Sequence, residues 1–95
     1  MENNYTDPAA LILIKCADLI EKKSKDYNGG TIKRDDYAIF GRQSHMQAVW
    51  TKVLRLRSLM DNPTPNFESL NDTLMDLANY SAIWCDWENR NADSK

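Results

Sequence analysis

The sequence is short of the residues that break regular structure. Three Gly and three Pro in 95 residues argue against a turn-rich β-sandwich or barrel, and against a disordered linker. Long apolar runs are missing too. The longest, Ala9 to Ile14, falls far short of the ~20 residues that a spanning helix needs. No charged segment precedes that run and no small-residue cleavage site follows it, so it does not read as a secretory signal. Two Cys on separate segments make neither a disulfide framework nor a zinc set, and the expected compartment is a reducing cytoplasm. The single His, His45, has no Cys or Asp partner at a useful spacing and receives no catalytic role. A net charge of −2 excludes a globally basic nucleic-acid binder, so duplex nucleic acid is not an expected partner; a local basic face stays open.

What is present is ordinary for a soluble globular protein: 42% hydrophobic and 27% charged residues. The length fits one domain, residues 1–95, with 1–7 and 90–95 expected to fray. A chain this small buries a limited core, which makes oligomerisation the expectation.

The hydrophobic pattern is helical throughout. Asp7-Pro8 reads as an N-cap followed by Pro at the first helical position. Leu11 to Ile14, Cys16, Ala17, Leu19 and Ile20 occupy several helical rows, so helix 1 is expected to bury much of its circumference. Asn28-Gly29-Gly30 then supplies a left-handed stop, which gives a helix over 8–27. Residues 29–44 show no clean period; Tyr37, Ile39 and Phe40 are expected to tuck an ordered loop onto the body, and Ser44 to cap the next helix. Helix 2 is expected over 45–60, with Val49, Val53, Leu56 and Met60 at 3.6 spacing. Pro63 and Pro65 end it. Helix 3 is expected over 67–88, on a stripe of Leu70, Leu74, Leu77, Ser81 and Trp84. The fold class is therefore all-α: an antiparallel bundle of three main helices completed by a partner chain. Leu70, Leu74, Leu77, Val53, Leu56 and Ile20 are its expected core. Trp84 and Trp87, near the end of helix 3, suggest an intersubunit contact; the plainer alternative is the bundle's own end cap.

Candidate chemistry lies on the charged faces. Glu68, Asp72 and Asp76 follow one another at i, i+4 and i+8, on one face of helix 3. No Lys or Arg lies between Phe67 and Asn89 to relieve their repulsion. A row of carboxylates suits a hard cation such as Mg²⁺, which takes oxygen ligands and shares them with water and phosphate; a solvated acidic face is the bland alternative. Helix 2 holds Lys52, Arg55 and Arg57 with no acid from His45 to Met60. Lys52 and Arg55 can meet one phosphate, or pair with the helix 3 carboxylates. On helix 1, Glu21 and Lys25 fit a surface salt bridge, and Tyr27 can stack on a base or fill the core rim. Cys16 and Cys85 read as core.

Three segments in order carry a resemblance. They are Glu21-Lys-Lys-Ser-Lys-Asp26-Tyr27, then Lys52-Val-Leu-Arg55-Leu56, then Glu68-Ser-Leu-Asn-Asp72-Thr-Leu-Met-Asp76-Leu-Ala-Asn-Tyr80. Over about residues 15–85 this resembles the small phage and bacterial branch of the MazG-like all-α nucleotide pyrophosphohydrolases, which includes nucleotide-modification-associated domains. The resemblance implies an oligomeric helical fold that binds nucleotides through Mg²⁺ and phosphate and releases pyrophosphate from nucleoside triphosphates. In that reading Glu68, Asp72 and Asp76 hold the metal, with Asp72, Asp76 and Glu21 as catalytic acids. Lys25, Lys52, Arg55, Tyr27 and Tyr80 hold the nucleotide. The chain departs from the family on helix 1, which offers only Glu21 and Asp26 in place of a glutamate cluster, and at Thr51, where relatives often carry an acid. Two further functions stay open. One is a non-catalytic phage sponge for a cyclic-nucleotide immune signal, needing Lys/Arg and aromatic stacking but no metal. The other is a helical module that binds another protein.

Overall fold

Asp7 and Pro8 open the first helix as the sequence suggests. The Asp7 carboxylate accepts a hydrogen bond from the Ala9 N–H at 2.8 Å, and its carbonyl accepts one from Leu11 at 3.0 Å. The first satisfies a donor that a helix start leaves unpaired, and the second is the first regular bond of the helix. The structure is a computed structural model that describes residues 4–62 and 67–92, with backbone alone at 27, 28 and 67–69. Its elements are α1 (Pro8–Asn28), a short 3-10 turn η1 (Arg34–Tyr37), α2 (Arg42–Asp61) and α3 (Phe67–Ala92). No strand occurs among the described residues, and no helix among them is long and apolar enough to cross a membrane. The fold is the expected all-helical three-helix bundle.

α3 is the central element. α1 and α2 each pack along it and make little contact with each other. α2 runs antiparallel to α3: Arg42 meets Glu88, Lys52 meets Asp76 and Arg55 meets Thr73. α1 lies beside α3 at Cys16, whose thiol donates to the Met75 carbonyl at 3.9 Å. Two flanking helices on one central helix leave much apolar surface uncovered. Cys16 is the one buried hydrophobic residue among those described. Ile20, Leu56, Leu70 and Leu77 are half-buried, but Leu74 and Val53, expected in the core, are 49% and 37% exposed. The apolar half of α1 likewise keeps Leu11, Ile12, Leu13 and Leu19 exposed, because its packing is chiefly on α3. Cys85, expected in the core, is also exposed.

α2 begins at Arg42, three residues before the expected start, and Gly41 is the reason. Its φ of 62° and ψ of −126° turn the chain in a way L side chains rarely adopt. A Cβ at Gly41 would also sit 3.3 Å from the Trp87 ring. Ser44 is therefore inside the helix and not its cap; its hydroxyl accepts from the Phe40 N–H at 2.9 Å. The glycine stop after α1 works differently from expectation. Among the described residues Gly41 alone has positive φ, so α1 ends without a left-handed residue.

Trp84 and Trp87 make contacts inside the chain. His45 stacks on Trp84 at 6.4 Å between ring centroids and meets Trp87 at 5.2 Å. The Trp84 indole donates to Glu88 at 2.9 Å, and Arg42 grips the same carboxylate with two bonds of 2.7 Å.

α3 continues to Ala92, past the expected end at 88, because Arg90 is anchored. It makes a two-pronged bond to Asp35 at 2.7 and 3.0 Å and a third to Asp86 at 3.1 Å. Residues 90–92 are thus helical, while 93–95 lie outside the described residues. Asp35 belongs to η1, so the same arginine ties the 29–41 segment to the bundle, helped by Arg34 near Asp86 at 3.6 Å. Ion pairs hold this segment in place of the expected apolar contacts. Ile39 and Phe40 are each 75% exposed, and Tyr37 67%.

Two outcomes follow from these anchors. Gly41→Ala is expected to lower unfolding free energy by about 1–3 kcal/mol, from strained backbone and the Trp87 contact, as read by urea denaturation. The Asp35 carboxyl is held below its ordinary value, chiefly by the hydrogen bonds from Arg90. A depressed carboxyl pKa stabilises the fold above its unfolded value of about 4, and that contribution is lost as pH falls through the lowered folded value. Amide exchange at residues 33–38, corrected for intrinsic rate, is expected to accelerate below about pH 4 before exchange in the middle of α3 does.

Candidate functional site

Where α1, η1, α2 and α3 meet there is a cleft of about 330 Å³, at the small end of ligand sites. α1 contributes Ile20 and Lys23, and the η1 segment contributes Arg34, Tyr37 and Ala38. α2 supplies Ser44, His45 and Ala48; α3 supplies Asp76, Asn79, Tyr80 and Ile83. These α3 positions fall at i, i+3, i+4 and i+7, so one helical face presents a carboxylate, an amide, a phenol and an aliphatic side chain together.

Two buried polar atoms belonging to these lining residues have no hydrogen-bond partner. They are Oδ1 of Asn79, a residue only 8% exposed, and Nε2 of His45. A buried polar group left unpaired costs about 1–3 kcal/mol, and such groups are rare in native interiors. His45 is pinned by the two tryptophans and Asn79 by its place on the inner face of α3, so neither deficit is one of mobile surface chains.

The electrostatics are mixed. Lys52 lies 3.3 Å from the Asp76 carboxylate, with its Nζ 5.6 Å from the centre of the Tyr80 ring. Ion pairing and the negative face of the ring both hold the Lys52 head in that position. Lys23 and Arg34 bring two further cations to the wall. Asp76 is the only acid lining the cleft among the described residues, so the lining favours an anion.

The expected site residues divide into groups. Lys52, Asp76 and Tyr80 are brought together as a unit. Arg55 turns to Thr73, with 3.3 Å between its Nε and the threonine hydroxyl, and so takes the structural role for which the helix 3 carboxylates were the expected partners. Glu21, Lys25 and Asp72 are exposed and do not line the cleft. The side chains of Glu68 and Tyr27 lie outside the described residues. Among the lining residues not expected at a site are Lys23, Arg34, Tyr37 and Asn79, together with His45, which received no role from the sequence. For Asn79 a signal existed, an amide among the inward-facing positions of a helix, between Asp76 and Ile83. The others depend on how α1, η1 and α2 come together around α3, which no local pattern encodes.

The Mg²⁺ that the resemblance implies needs several oxygen ligands. Of the acidic row, Asp76 is already engaged by an ammonium and Asp72 is exposed to solvent. Among the described residues no group of three His, Cys, Asp or Glu is placed to hold a metal ion. The described donors do not make up a Mg²⁺ site as they stand. No family model, no curated protein and no solved structure matches the chain.

The Lys52–Asp76 pair yields a direct test. Both side chains are partly exposed, at 23% and 41%, so the pair is worth about 1 kcal/mol or less. Asp76→Asn is expected to lower the stability of the ligand-free protein by that amount in urea melts. Asp72→Asn, on exposed surface, is expected to leave it unchanged or slightly raised.

Proposed function

We propose that the chain binds a nucleotide, a flat base carrying phosphate, in the cleft between α1, η1, α2 and α3. The observation that carries this reading is a cleft wall in which the cations Lys23 and Arg34 stand with the aromatic rings of Tyr37 and Tyr80. A ligand with a flat ring and negative charge matches both. Tyr37 and Tyr80 supply aromatic surface for a base, and arginine's fork suits phosphate oxygens. Asp76 bonded to Lys52 favours binding that needs no metal, so the sponge-like function is preferred to hydrolysis. Cyclic nucleotides belong to the same ligand class.

Mg²⁺-dependent pyrophosphohydrolysis, the activity the MazG-like resemblance implies, is the second reading. It is favoured by one feature: Asp76 lies in the same cleft as the two cations. It requires Lys52 to leave Asp76. Pyrophosphate release from nucleoside triphosphates that needs Mg²⁺ and vanishes in Asp72→Asn would favour it over binding alone.

A thermal-shift and calorimetry series with nucleoside triphosphates and cyclic nucleotides, each with Mg²⁺ and with EDTA, tests both. At a ligand concentration 100 times Kd, a native-state ligand adds about 2.7 kcal/mol, a shift of about 10–20 °C for a chain of this size. The expected result is stabilisation by at least one nucleotide in EDTA, reduced in Arg34→Ala and in Asn79→Leu. Stabilisation by none of them, with or without Mg²⁺, would sink the nucleotide reading.

A further inference from the structure

All three glycines of the chain stand at the ends of one segment: Gly29 and Gly30 before residues 31–40, Gly41 after them. Gly41 is required where it is, since the docked chain turns there with a positive φ. Gly29 and Gly30 have no positive φ, and a Cβ at Gly29 would meet only the Lys25 and Asp26 carbonyl oxygens, at 3.7 and 3.9 Å. The docked conformation would accept a side chain at Gly29. The freedom that glycine brings is thus left for other conformations of the segment.

Between these glycines the segment holds its own shape. The Lys33 N–H donates to the Asp36 carboxylate at 2.7 Å and the Lys33 ammonium to the Gly30 carbonyl at 3.0 Å. Backbone bonds of 3.0 Å join Asp36 to Lys33 and Ala38 to Asp35. None of these bonds reaches another element. η1 makes little contact with any helix, and Ile32, Ile39 and Phe40 are exposed. Its ties to α3 are charged: Arg90 holds Asp35 in two bonds, and Arg34 lies 3.6 Å from Asp86. Arg34, Tyr37 and Ala38 nevertheless form one wall of the cleft.

We propose that η1 is a lid on the cleft, swinging as a body on Gly29–Gly30 and Gly41, with Arg90 as its latch. A segment that keeps its shape, free ends and one cluster of closing contacts are the parts of a hinged closure. With the latch made, Arg34 and Tyr37 complete the wall. With it broken they leave together, while Ala48, Asp76, Asn79 and Tyr80 stay on α2 and α3. Arg90 does not line the cleft and acts as a positioning residue. Its two-pronged bond fixes where the lid closes, and the partial exposure of both partners, 47% and 44%, keeps the bond weak enough to open. An anion between Arg34 on the lid and Lys23 on α1 would draw the lid shut. The inference concerns access to the cleft and does not rest on the ligand being a nucleotide.

Thiol labelling reads the lid without any ligand. In a Cys85→Ser background, which removes the exposed thiol, Ala48→Cys places a reporter in the cleft wall. Buried Cys16, between α1 and α3, reports separation of the helices. With the neutral reagent 4,4′-dithiodipyridine, kept dilute so that the lid recloses faster than labelling occurs, the rate follows the open fraction. Arg90→Gln is expected to speed labelling at position 48 about 5-fold. Raising NaCl to 1 M, where charges are screened beyond about 3 Å, is expected to do the same with Arg90 in place and to add little in Arg90→Gln. Lid opening exposes little surface, so the rate at position 48 should barely respond to low urea, whereas that of Cys16 should rise steeply. Labelling at position 48 that is unchanged by Arg90→Gln and by salt would overturn the proposal. So would labelling with the rate and urea dependence of Cys16, because the cleft would then open only when the helices part.

Discussion

Arg90 and Glu88 reach from the last turns of α3 to two different parts of the chain. Arg90 clamps Asp35 in η1, and Glu88 is gripped by Arg42 at the start of α2 while it also accepts from Trp84. These charged bonds surround the His45, Trp84 and Trp87 rings at this end of the bundle. The segment between α1 and α2 has few apolar contacts of its own, as the exposure of Ile39 and Phe40 shows. Its course over the cleft, with Arg34 and Tyr37 in the wall, depends on being tied to α3. Bidentate arginine–carboxylate geometry gives direction as well as strength, so the clamp fixes where η1 sits and not merely that it is near. Gly41 completes the arrangement by letting the chain reverse against the Trp87 ring.

Much of the helical architecture was legible because its causes are local. Asp7-Pro8 marks a helix start by sequence chemistry alone, and the stripe on α3 from Leu70 to Trp84 marks a long helix. The ends that differ do so for non-local reasons. α3 extends to Ala92 because Arg90 finds Asp35 from another element, 55 residues away. α2 starts early because Gly41 packs on a tryptophan 46 positions later. Core membership was the least legible property. Helical periodicity shows which residues share a face, but not how many partners that face will find, and Leu74 and Val53 fall on faces with no partner inside the chain.

The site was legible in part. Lys52, Asp76 and Tyr80 were expected on facing helices, and an antiparallel α2–α3 pair with Arg42 opposite Glu88 brings them together by register. The carboxylate row read as a unit does not act as one: Asp76 faces the cleft and its lysine, while Asp72, one turn earlier, meets solvent. A row at i, i+4, i+8 drifts around the helix by about 40° per step, enough to carry one end off the face that the other occupies. Asn79 shows the converse, a residue inconspicuous in the sequence whose burial makes it the most demanding group in the wall.

The central position of α3 also bears on how the molecule comes apart. α2 and α3 are joined by a short connection and lie antiparallel, so their contacts close small loops and form early in folding. α1 docks on that pair across a longer stretch of chain and with less surface. Its detachment therefore costs less than separation of α2 from α3, and native-state exchange should show α1 amides opening as a cooperative unit ahead of the hairpin. Because α1 carries Ile20 and Lys23, the same partial opening would unroof one side of the cleft while leaving Lys52, Asp76 and Tyr80 in place.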